Sequence, residues 1–315
     1  RRIMLIAGAL AVTAFAMTKL QTVTAYAVEG WMSQGEEWRY LDENDEPLQN
    51  TWKQSRDSWF YLGGQGIMMR DCFIEQGNSL YYVFEDGARA ENTWVLADEA
   101  DEDGHEAGWY YFGANGKAYR GTASSFKRTV DGRSYIFDES GRMLTGWFDE
   151  DGNQLDEDDN PLEEGVYYAD ADGALKTESW LDYSQLEIRG LEDLSSDISG
   201  RDYDEYDQVW LYFNNRSKKV KSNGGRLVQK NIDGSTYGFD EYGIMLPWWT
   251  KVASVSNADK SNPTSDVPAK FFAGYDGGSL LRNSWFWMYP SDNLIQDDSD
   301  DGEYSWWRTD QNGKI

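Results

Sequence analysis

The sequence predicts an all-β protein: an elongated solenoid of stacked β-hairpin repeats with irregular acidic insertions. Three observations predict it. First, an aromatic pair, a short polar turn and a glycine recur along the chain, as in Tyr82-Val83-Phe84-Glu85-Asp86-Gly87 and Tyr111-Phe112-Gly113-Ala114-Asn115-Gly116. The turn position falls at 45, 66, 87, 116, 141, 173, 217, 243, 278 and 313. Self-similarity at such a period marks a repeat array. Second, the run before each turn is short and aromatic or β-branched, which suits a strand. Only residues 186–198 offer a helical period, and Gly190 with the surrounding Asp and Ser argues against it. Third, one two-stranded hairpin is hardly stable alone in water, so hairpins of this size gain a core by stacking in file.

The elements follow in chain order. Residues 1–27 read as a signal peptide: Arg1-Arg2 is a basic start, 3–17 is apolar, and Ala25-Tyr26-Ala27 is a small-x-small cleavage site. The apolar run is too short for a membrane span, and Lys19 interrupts its end. Residues 28–315 then form an array of about ten degenerate repeats, with the last one incomplete. In a typical repeat Tyr135-Ile136-Phe137 is a strand, Asp138 opens a turn, Gly141 takes positive φ, and Met143-Leu144 begin the return strand. Shorter turns at Gly35, Gly77, Asp131-Gly132 and Asp233-Gly234 are expected to join one hairpin to the next. Asp42, Asp138, Asp170, Asp240 and Asp310 precede the turn position by three residues and are expected to close Asx turns. Acidic inserts fall at 97–104, 149–164 and 182–207, and a Ser, Asn and Pro loop at 254–268. Asp149, Asp151 and Asn153 alternate like calcium ligands, but Gly152 is misplaced for the helix–loop–helix consensus, so a solvated charge run is expected.

Composition narrows the function. Fifteen Trp and 20 Tyr argue for a folded chain despite its charge. The formal net charge of −27 disfavours nucleic acid and other polyanions as partners. Removing residues 1–27 would strip Arg1, Arg2 and Lys19 and leave the remainder more acidic. The single cysteine, Cys72, cannot form an internal disulfide and reads as a small buried hydrophobe. His105 has no second histidine, so no zinc site is expected. There is no Gly-x-Ser-x-Gly elbow and no His-Glu-x-x-His, and carboxylates are too abundant for any pair to stand out. The chain therefore reads as a binding protein, with neither an enzyme's machinery nor a cofactor.

The motifs point further. Gly30-Trp31, Gly35 and Trp38-Arg39-Tyr40-Leu41, with Trp109-Tyr110-Tyr111-Phe112 and Met143-Leu144-Thr145-Gly146-Trp147, resemble the cell-wall-binding (choline-binding) repeat. Related repeats occur in glucan-binding proteins and clostridial toxins. The resemblance spans nearly everything from Gly30 onward. It implies a secreted protein of the cell surface or wall, bound to choline-containing teichoic acid or to glucan or peptidoglycan-associated carbohydrate. It also implies sites between successive hairpins, where two aromatics of one repeat and one of the next cage a quaternary ammonium. A cation over aromatic faces gains of order 1–2 kcal/mol when desolvated.

Carried onto this sequence, the pattern gives two complete triplets, Trp31/Trp38/Tyr61 and Trp52/Trp59/Tyr82. Elsewhere it is eroded. Leu80 follows Phe73, Ile136 takes the third place after Trp94 and Trp109, Val166 follows Trp147, and Gly238 takes the third place after Trp180 and Trp210. Those repeats are expected only to stack. Two other readings stand beside this one: the anchoring module of a wall hydrolase whose catalytic domain lies outside the sequence, and a spacer whose aromatics are all core.

Overall fold

The computed structural model describes residues 30–122, 125–186, 191, 194, 209–223, 227–246, 248–251, 269–272, 277–288 and 305–314. The expected signal peptide at 1–27, the 254–268 loop and most of the 182–207 insert lie outside them. Among the described residues the only helix is one 3-10 turn, Tyr183–Gln185, and none is long and apolar enough to cross a membrane. The rest is strand and turn.

Among the described residues the strands form ten two-stranded antiparallel sheets, each a hairpin of neighbouring strands. The first pairs Gly30–Gln34 with Glu37–Leu41, the second Thr51–Ser55 with Ser58–Leu62, and the third Cys72–Gln76 with Ser79–Val83. The fourth pairs Thr93–Ala97 with Gly108–Phe112, and the fifth Lys127–Val130 with Arg133–Ile136. The sixth pairs Gly146–Phe148 with Tyr167–Ala169, the seventh Ser179–Asp182 with Trp210–Phe213, and the eighth Val228–Ile232 with Ser235–Phe239. The ninth pairs Trp248–Lys251 with Ala269–Phe272, and the tenth Trp285–Met288 with Ser305–Arg308. The chain divides into two compact units between Leu144 and Thr145, with the first five hairpins in one and the last five in the other.

The two kinds of turn exchange the roles expected of them. The short turns close the hairpins: Asp131 (φ 48°) and Gly132 (φ 80°) join the strands of the fifth, and Asp233 and Gly234 do the same in the eighth. Two successive positive φ values give the twist that matches antiparallel strands. The long polar turns lead from one hairpin to the next and close on a single bridge, such as Phe137 with Met143. All ten turn positions read from the sequence, from Asp45 to Gly313, have positive φ, including the non-glycine Ser217. Four of the five aspartates act as expected. Asp42 accepts from the Asn44 and Glu46 amides, Asp138 from Arg142, Asp240 from Tyr242 and Ile244, and Asp310 from Asn312 and Lys314. The Glu46 and Asn44 amides hold the Asp42 carboxyl below the usual carboxylate range. Asp170 instead pairs with Lys176 at 2.8 Å. Asp149 spends its oxygens on the Asp151 and Asn153 amides and on the Asn153 side chain, so it too serves a turn.

Alternation sorts each hairpin into two faces, because residues directly opposite one another in an antiparallel pair share a face. The front face carries the first tryptophan: Trp94, Leu96, Trp109 and Tyr111 in the fourth hairpin. The back face carries Thr93, Val95, Tyr110 and Phe112. Within each unit the front of one hairpin packs on the back of the next. Phe73, Leu80 and Tyr82 meet Val95, Ala97, Tyr110 and Phe112, and Trp180 and Tyr212 meet Ile232, Tyr237 and Phe239. Cys72 is half-buried beside Ile74, Tyr81 and Val83, a looser placement than the buried one expected.

Candidate functional site

The front faces make aromatic corners, and two of them match closely. In the fourth hairpin the Trp94 and Trp109 rings stand 6.5 Å apart at 85°. Tyr111, the cross-strand partner of Trp94, lies 5.1 Å from it. The fifth hairpin adds Tyr135 at 4.9 Å and Phe137, stacked at 5.9 Å. In the other unit, Trp180 and Trp210 stand 6.5 Å apart at 87°. There Tyr212 lies at 5.0 Å, Tyr237 at 4.8 Å and Phe239, stacked, at 5.8 Å. The long insert between Trp180 and Trp210 leaves the corner intact, because Asp182 pairs with Trp210 and holds the register.

The sequence-derived triplets are one residue out of register in their third member. Trp31 meets Phe60 of the next hairpin at 5.2 Å, whereas Tyr61 is the cross-strand partner of Trp52, 5.1 Å away. Trp38 shares the front face with Trp31. Trp52 meets Tyr81 at 5.1 Å and donates from Nε1 to Gln76. Tyr82 lies on the opposite face, almost wholly buried, with its ring on Phe73 and its hydroxyl donating to Asp71. Trp59 shares the front face with Trp52. The same one-residue correction restores two of the four corners read as eroded, since Tyr135 stands before Ile136 and Tyr237 before Gly238. The physical cause is the two-residue strand period: a shift of one moves a ring to the other face.

A second position recurs at seven corners among the described residues. The amide of one residue just past the following hairpin's long turn donates to the carbonyl of the second front-face residue. The donors are Met68 to Trp38, Arg89 to Trp59, Ala118 to Leu80 and Met143 to Trp109. In the other unit they are Lys219 to Val166, Met245 to Trp210 and Leu280 to Thr236. The bonds measure 2.7–2.8 Å. No signal short of the assembled hairpins pairs residues so far apart.

The remaining corners differ in content. At the third, His105 is buried, stacks on Phe73 at 4.6 Å and shares a 2.8 Å contact with Asp101. At the sixth, Lys219 lies over the Trp147 ring at 5.6 Å and donates to the Pro161 and Leu162 carbonyls at 3.1 and 2.6 Å. Burial, reinforced by Lys221 and opposed by Asp240, pushes the Lys219 amine well below its ordinary pKa. At the first, Lys53 Nζ lies 4.1 Å from the Tyr40 ring. In the tenth hairpin Trp285 and Trp306 are both 64% exposed, surface enough for stacking against a flat ligand.

No protein-family model matches the chain. Over 110 residues, 29% of its length, it is 26% identical to glucosyltransferase-S of Streptococcus mutans, of which it spans 7%. Among solved structures it is similar to the modular autolysin LytC of Streptococcus pneumoniae, with 16% identity and a TM-score of 0.44 over 84% of this chain and 49% of that one. It is also similar to the choline-binding domain of CbpL from the same organism, with 21% identity and a TM-score of 0.43 over 70% and 89% of the two chains. The repeats are similar to choline-binding repeats and, over the matched segment, to a glucosyltransferase.

Proposed function

We propose that this chain is an exported, non-catalytic array that attaches to the bacterial cell surface through aromatic corners between hairpins. Its occupant is the choline of a choline-decorated wall polymer. The observation that carries the reading is the pair of matching corners, Trp94/Trp109/Tyr135 and Trp180/Trp210/Tyr237, each with two indoles near a right angle. Rings set at right angles present two faces to one point, which suits a cation with no hydrogen to donate. Trp31 and Trp38 with Phe60, in place of the expected Tyr61, form a further candidate. The acidic chain concentrates cations around all of them. Repeated along a unit, the front-to-back step is that of a hairpin solenoid. A carbohydrate occupant is the second reading, supported by the similarity to a glucosyltransferase and by the exposed Trp285 and Trp306.

Calorimetric titration tests the first reading. Choline should bind in the millimolar range. Trp109→Ala combined with Trp210→Ala should remove one wall from each matching corner and weaken binding there by about 1–2 kcal/mol. Absence of heat at tens of millimolar, alongside retention on a glucan column, would hand the function to carbohydrate.

A further inference from the structure

The corner of the second hairpin holds a charge that the chain itself supplies. The Arg89 guanidinium carbon lies 5.3 Å from the Trp52 ring, 5.3 Å from Trp59 and 5.8 Å from Tyr81. Nε donates to Glu91 at 3.0 Å and Nη2 donates to the same carboxylate oxygen. Only 12% of the side chain is exposed. The turn of the fourth hairpin closes over it, since a Cβ on Gly116 would come within 2.3 Å of Arg89 Nε. Arginine keeps its charge at any ordinary pH, so these three rings face a permanent cation, at the range where cation–π attraction acts.

The position matters more than the residue. Arg89 occupies the site whose amide bonds to the preceding hairpin, and Lys219 occupies the same site in the other unit, over Trp147. At the two matching corners that site is Met143 or Met245, and at the first corner Met68. A methionine there adds apolar surface to the corner and brings no charge.

We propose that Arg89 is a tethered occupant of the Trp52/Trp59/Tyr81 corner, and that the residue at this one repeat position decides which corners accept an external small cation and which serve as clasps between hairpins. The ligand half rests on the proposed cation-binding function; the clasp half rests on geometry alone.

The experiment separates the two. Its first arm uses no ligand and compares urea midpoints of the full chain with Arg89→Met, Trp59→Leu and both together. An occupant held by that indole makes the double variant lose less than the sum of the single losses. Additive shifts overturn the clasp. The second arm titrates choline calorimetrically into the wild type, into Arg89→Met, and into Met143→Arg with Thr145→Glu, which copies the Arg89–Glu91 pair. The number of sites should rise by one in the first variant and fall by one in the second. An unchanged number in both overturns the selection rule. Should Arg89→Met fail to fold, the Met143 variant reads the same rule in reverse. A wild type that takes up no choline sinks the ligand half together with the proposed function, while non-additivity in the first arm still upholds Arg89 as an occupant.

Discussion

The corners of the second and fourth hairpins have nearly the same rings and different contents. Trp52 stands 5.1 Å from its cross-strand Tyr61 and 5.1 Å from Tyr81 of the next hairpin. Trp94 stands 5.1 Å from Tyr111 and 4.9 Å from Tyr135. Arg89 lies beside the first pair, and at the second the same amide position, bonded to Trp109, is Met143. The walls are thus fixed by strand register, and their content by a residue on a separate turn. Under the proposed function, such a division lets one scaffold carry both binding corners and structural ones. The indoles alone do not tell them apart.

Three substitutions put this contrast to the test. The largest effect is expected from Trp94→Ala. This indole touches Trp109, Tyr111, Tyr135 and Phe137, so removing it should cost about 3–5 kcal/mol of unfolding free energy, read by urea titration. A loss below about 1 kcal/mol would mean that the rings form a surface cage without a share in the core.

Next comes the back face of the fourth hairpin. Burial, with Asp138 adding to it and Arg142 opposing, pushes the Tyr110 phenol up to about 12. Between its ordinary value of 10 and about 12, the folded chain keeps a proton that the unfolded chain has released. Stability should therefore fall as pH climbs through that window, by at most about 2–3 kcal/mol from this residue. Tyr110→Phe should flatten that part of the slope, at a cost of about 1 kcal/mol at neutral pH for the lost bond to the Glu106 carbonyl. Unfolding curves at pH 9 and 11 check it, and an unchanged slope would reject the assignment.

The smallest effect sharpens the contrast most. Gly116 (φ 74°) covers Arg89, whereas Gly141 (φ 100°), its counterpart in the fifth hairpin, covers Ala118, with nearest neighbours at 3.2 Å or more. Alanine at either position strains the backbone by about 1 kcal/mol, and at 116 it also presses on the guanidinium. Gly116→Ala should be the costlier by a further ~1 kcal/mol, and equal thermal shifts would show that Arg89 yields freely.

Most of the repeat frame was legible in the residues. The turn series is readable because positive φ selects Gly, Asn and Asp, and an Asp three places earlier adds a mark in five of the ten repeats. Ser217 was found by spacing alone, and its φ of 61° shows that spacing was sufficient. Two features escape the sequence. Turn composition does not say which strands pair across a turn, so the short turns read as joints between hairpins. The third ring reads one residue late because both residues there are aromatic in the first repeats, Phe60-Tyr61 and Tyr81-Tyr82, and composition cannot choose between adjacent rings. Only the facing strand sets the parity.

The all-β repeat architecture, the turn positions and the inventory of indoles are written in the residues, since each depends on local backbone preference and near-neighbour spacing. Which rings face one another, and what lies between them, follows from the packing of one hairpin on the next. Trp59 and Arg89 are 30 positions apart and meet because the Arg89 amide bonds to the Trp59 carbonyl across two hairpins. Contacts of that separation are set by how one face packs on the next, and no local pattern in the chain encodes it.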